Sequence, residues 1–118
     1  MRDKYIQTAE SVTEGHPDKL CDTIADTVLD NCLEYDPSAR VACEALATAG
    51  KILVAGEITA KVLPDIPAIV ARTVQKAGYE TEYEIEVITH DQSTDIAEAV
   101  GGDKTASPRQ GAGDQGIM

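Results

Sequence analysis

Between Pro17 and Pro37 the chain places Leu20, Ile24, Val28 and Cys32 at intervals of four, with Cys21, Ala25, Leu29 and Leu33 beside them. Apolar residues at that interval share one face of a helix, so the spacing predicts a helix over 17–35. Pro17 suits the first helical position, where its missing N–H would have no partner, and Asp36 before Pro37 turns the backbone away from helical angles. The far side carries Asp18, Asp22, Asp26, Asp30 and Glu34. Like charges four apart repel, and most of that stripe reads as a solvated face. A helix with one apolar and one acidic face needs a second layer to cover the apolar one.

That layer is legible downstream. Residues 40–47 and 52–59 are strand-like, and Gly50-Lys51 between them suits a type II′ turn with glycine at its first central position. This pairs Ala49 with Ile52 and sets Glu44 directly opposite Glu57. Two facing carboxylates repel, more so if Val41, Val54 and Ala55 surround them, and call for a cation. The plainer alternative is that both face water, and a one-residue slip would send one to the other face. Asp65 is an N-cap for a second helix over 66–77, with Gly78 as its stop and Lys76 complementing the dipole. Glu84-Ile85-Glu86-Val87-Ile88-Thr89 alternates as a third strand, and Tyr5–Ala9 reads as a short one. The fold class is α/β of the α+β type: two layers, a mixed or mostly antiparallel sheet, and both helices on one face.

The stretch that opens the first helix is Glu10-Ser11-Val12-Thr13-Glu14-Gly15-His16-Pro17-Asp18-Lys19. It gathers an imidazole, a carboxylate and an ammonium at the positive end of a helix, where free N–H groups also point. Such a place can handle phosphate together with a divalent metal. The bland alternative is a well-capped helix start with a surface histidine.

These ten residues resemble the N-terminal signature of S-adenosylmethionine synthetases (methionine adenosyltransferases), and Gly111-Ala112-Gly113-Asp114-Gln115-Gly116 resembles that family's second signature. The resemblance runs along essentially the whole chain and covers about the first third of a family enzyme. It implies one N-terminal domain over 1–118, a mobile active-site loop over 93–110, and further domains downstream. It also implies a reaction in which the sulfur of L-methionine attacks C5′ of ATP, with release of pyrophosphate and phosphate. By resemblance, His16 is the catalytic candidate, and His16, Pro17 and Lys19 contact ATP. Asp18 holds Mg2+ and Glu44 holds K+. Glu57, Gln92 and Asp114 bind methionine, Gln92 within a Gln-Ser-Thr-Asp-Ile segment whose Thr94 replaces the family's usual proline. An ion pair along the acidic helix is an equal alternative for Lys19, and His90 receives no role. The family's active site is shared between two subunits of a homo-oligomer, so the 118-residue chain alone is expected to lack activity. The competing reading is a non-catalytic α/β binding or oligomerisation module.

Composition narrows the partners. With 10 basic and 21 acidic residues the formal charge is −11, which opposes binding to nucleic acid or to an anionic membrane. An anionic substrate then needs a local cationic spot or a metal ion. The core must be aliphatic, because the chain has no Phe and no Trp. Cys21, Cys32 and Cys43, eleven residues apart, fit neither a disulfide framework nor a CxxC site and read as reduced, buried residues. No signal peptide and no apolar run near the ~20 residues of a membrane span are present, so a cytoplasmic protein is expected.

Overall fold

A computed structural model of the chain describes residues 3–91. Gln92, the 93–110 loop and Asp114 lie outside the described residues. The elements run α1 (Pro17–Tyr35), β1 (Arg40–Thr48), β2 (Lys51–Thr59), α2 (Ile66–Lys76) and β3 (Glu84–His90). The sheet has the order β1-β2-β3, antiparallel between β1 and β2 and parallel between β2 and β3. The α2 crossover makes the parallel pairing possible.

Both helices cover one face of the sheet. Leu20, Ile24, Val28 and Cys32 of α1 meet Ile52, Val54 and Ile58 of β2 and Ile66, Ile69, Val70 and Val74 of α2 in a single aliphatic core. The buried stripe of α1 is narrower than its sequence pattern, since Leu29 and Leu33 remain more than a third exposed. Tyr5–Ala9 forms no strand; Tyr5 and Ile6 are exposed, and no described strand pairs with them. Apolar content without a partner edge does not make a strand.

The hairpin turn differs from its expected form. Thr48 pairs with Lys51, so the two loop residues are Ala49 and Gly50. Gly50, at φ +75°, takes the second central position, the one a type II turn requires to be positive. The register therefore places Glu57 opposite Ala42 and Glu44 opposite Ala55. Glu44 and Glu57 still share a face, as diagonal rather than direct neighbours, because the pairing moved by two residues and not by one. Val41 and Val54 lie on the other, helix-covered face.

Gly56 is demanded by the sheet itself: a Cβ there would sit 1.9 Å from the Ala42 carbonyl oxygen. On the open face Lys51 reaches Glu84 at 3.5 Å and Glu86 at 2.5 Å, tying β2 to β3 near the hairpin end. These carboxylates raise the Lys51 ammonium above its ordinary pKa.

Two polar devices hold the helix ends. Buried Asp36, the C-cap of α1, accepts bonds from Ser38 N–H at 3.0 Å, Ser38 Oγ at 2.6 Å and Lys61 N–H at 3.0 Å. At the end of α2, Tyr79 N–H bonds the Val74 carbonyl and Gly78 N–H bonds that of Gln75, with Gly78 at φ +95°. This is a Schellman termination, and it sets the direction in which Tyr79 leaves the helix.

Candidate active site

His16 is the N-cap of α1, and its Nδ1 accepts the Asp18 backbone N–H at 3.2 Å. An imidazole that accepts through Nδ1 carries its proton on Nε2, leaving that N–H available to donate. The preceding loop is closed by His16 N–H on the Thr13 carbonyl at 3.0 Å. It is anchored by Tyr79, whose hydroxyl donates to the Gly15 carbonyl at 2.6 Å. Tyr79 meets Tyr83 edge-to-face, with ring centroids 6.1 Å apart. Both rings line a hollow of about 210 Å³ with Gly15, Pro17 and Ala47–Ala49 at the hairpin end of β1. Asp18 is an exposed carboxylate in the first turn of α1.

Lys19 does not join this hollow. Its ammonium lies 3.5 Å from the Val12 carbonyl oxygen, it faces the trough between α1 and α2, and it makes no ion pair among the described residues. The alternative of an ion pair along the acidic helix is thus not formed among the described residues.

Glu57 occupies the opposite, open face of the sheet. Its Oε2 is buried and has no hydrogen-bond partner among the described residues. The neighbours in register are Ala42 on β1 and His90 on β3, with Glu44 one pleat along. A desolvated carboxylate oxygen without a donor is costly unless a cation or a donor completes it.

The structure therefore gathers the sequence candidates into two groups and keeps them apart. Ala47, beside the His16 loop, pairs with Ile52, and Glu57 lies five residues farther along β2 on the other face. At the rise of a strand that is about 17 Å. Among the described residues no three His, Cys, Asp or Glu side chains gather as a metal site.

The family described as S-adenosylmethionine synthetase, N-terminal domain, matches residues 4–101, which include both groups. The chain belongs to the S-adenosylmethionine synthetase family. An S-adenosylmethionine synthase of Azobacteroides pseudotrichonymphae genomovar. CFP2 is 44% identical over 122 residues, covering 97% of this chain and 28% of that protein. One of Sorangium cellulosum (strain So ce56) is 48% identical over 98% of the chain and 29% of its own length. Another, of Desulforudis audaxviator (strain MP104C), is 48% identical over 98% of the chain and 33% of its own length. The chain thus spans about three-tenths of the length of the curated synthetase relatives it matches.

Sequence reasoning missed two residues of this synthetase domain. Tyr79 holds the His16 loop from 64 residues away, and the only local sign was an aromatic residue after the helix-stop glycine. In the sequence Asp36 stands out only as the residue before a proline, whereas its carboxylate also holds the exit of β2.

Proposed function

We propose that the protein acts as a methionine adenosyltransferase, forming S-adenosylmethionine from ATP and L-methionine, with this chain supplying the N-terminal part of the site. The observation that carries the reading is the buried, partnerless Oε2 of Glu57, which suits the ammonium of an amino acid. Gln92 and Asp114 complete the hold on methionine.

At the other group, His16 and Pro17 meet ATP, and the Nε2–H of His16 donates to the leaving triphosphate. Lys19 adds positive charge at that helix end from its place by the Val12 carbonyl. Methionine sulfur needs no deprotonation, so these residues act by alignment and by stabilising charge that develops on the leaving group. A lone exposed carboxylate such as Asp18 fits Mg2+, which is commonly held by one or two carboxylates and the substrate's own phosphates. Glu44, an exposed carboxylate on the open face, fits K+. Bound there, the cations neutralise phosphate and carboxylate charge.

Two groups on opposite faces of one sheet, set five residues apart along β2, do not face one small substrate pair. This favours a homo-oligomer in which Glu44 and Glu57 of one copy complete the His16–Asp18 end of another. The open face supports it: Leu46 is 63% and Ile88 44% exposed there, an apolar surface that a second copy would cover. The same separation gives the 118-residue chain alone the character of a binding module. No described helix is long and apolar enough to cross a membrane, and a cytoplasmic setting without nucleic-acid partners is part of the proposal.

The test is calorimetric titration of the chain with methionine and with ATP, each with and without Mg2+ and K+, beside a turnover assay of the protein extended by its downstream domains. Turnover that collapses in Glu57→Gln through a raised methionine KM supports the reading. Turnover indifferent to Glu57 and Asp18 substitution would sink it.

A further inference from the structure

The described surface of this strongly acidic chain holds a place where cations collect without ion-pair partners. Lys19 and Thr23 on α1 and Arg72 and Lys76 on α2 flank a trough of about 520 Å³ floored by Leu20 and Ile69. The Tyr79–Gly15 bond brings the end of α2 to the start of α1, so Lys76 stands at the same end as Lys19. Neither Arg72 nor Lys76 makes an ion pair among the described residues. The acidic side chain on the rim, Glu14, makes no ion pair with them either. The threonine hydroxyls do not neutralise the cations: Thr23 donates to the Lys19 carbonyl and Thr73 to that of Ile69.

We infer that the α1–α2 trough is a ligand site separate from the His16 hollow, which takes a small organic phosphate with an apolar body. Three uncompensated cations over an aliphatic floor match an anionic head and a hydrocarbon or ring portion together. The volume lies within the range of small-molecule pockets, about 300–1,000 Å³. The guanidinium of Arg72 offers a planar fork to phosphate oxygens, and the two lysines supply point charges. With a formal charge of −11 the rest of the chain repels the same ligand, so binding is confined to this spot. The trough shares Lys19 with the proposed ATP end of α1, and its test rests on Arg72 and Lys76, which have no part in the transferase reading.

The experiment is an amide NMR titration of the 15N-labelled chain with 1-naphthyl phosphate, with 1-naphthol and inorganic phosphate run separately. Shifts are expected at residues 19–27 and 69–77, with either half-ligand weaker by about tenfold or more because each satisfies one surface only. Arg72→Ala with Lys76→Ala should weaken binding by about tenfold or more, while Arg72→Lys with Lys76→Arg stays within about threefold. Both positions are exposed, and circular dichroism checks that each variant is folded. Absence of binding at millimolar probe, shifts centred on His16 and Pro17, or an affinity unchanged by the double alanine variant would each overturn the inference.

Discussion

The hydroxyl of Tyr79 donates to the carbonyl of Gly15 at 2.6 Å, joining the residue that leaves α2 to the residue that precedes the α1 N-cap. Gly78 makes this possible, because its left-handed backbone turns Tyr79 back toward α1. Tyr79→Phe keeps the ring and its edge-to-face contact but leaves the carbonyl without this donor. We expect a loss of about 1 kcal/mol in urea unfolding. Faster amide exchange at His16 would accompany it, since that N–H closes the same loop. Unchanged exchange there would show that the loop is held by other contacts.

Gly56 and Gly50 should respond differently to alanine. At Gly56 the new methyl would meet the Ala42 carbonyl at 1.9 Å, and the obstacle is backbone in a paired strand. Gly56→Ala is expected to cost about 3 kcal/mol or more. Gly50 has open space around it and only its φ of +75° to defend, so Gly50→Ala should cost about 1 kcal/mol. Chemical denaturation of the two variants in parallel checks the order.

Asp36 gives the acid limb of the stability curve. Its bonds from Ser38 and Lys61 hold the carboxyl below the usual aspartate range. A depressed folded pKa contributes stability that is present above the unfolded value of about 3.9 and lost as pH falls through the folded value. Thermal unfolding followed between pH 2 and 7 should show that loss in the native chain and a flatter limb in Asp36→Asn.

The three cysteines are free thiols, with Cys21 and Cys32 buried as expected and Cys43 only partly so. Burial raises all three pKa values, that of Cys43 to about 11. At pH 8 alkylation should be slow in the folded chain and fast in denaturant. Above about pH 8.5 the unfolded chain ionises first, so stability should decline as pH climbs toward the folded values. Cys43→Ser should remove part of that decline in unfolding measured from pH 8 to 11.

The helix ends were legible because their signals are local. Pro17, Asp65, Gly78 and the Asp36-Pro37 pair act within a turn of their own backbone, and the observed bounds follow them. The fold class was legible for a similar reason, since alternation in 84–89 and fourfold spacing in 20–32 each allow one way to bury apolar area. Both signatures were also readable, and with them the family.

The pairing was not. A hairpin closed at Ala49 and Ile52 and one closed at Thr48 and Lys51 keep every side chain on the same face, so hydrophobic alternation cannot separate them. Backbone sterics decide, with Gly50 supplying the positive φ and Gly56 yielding to the Ala42 carbonyl. The sequence alone therefore determined the family, the helix ends and which residues of each strand alternate onto a common face. Only the tertiary structure decided that Glu57 meets Ala42 and His90 rather than Glu44, that Tyr79 anchors Gly15, and that His16 and Glu57 stand at different ends of the sheet. Those relations join residues distant along the chain, and they exist only once β2 is paired on both sides and the helices have closed over one face.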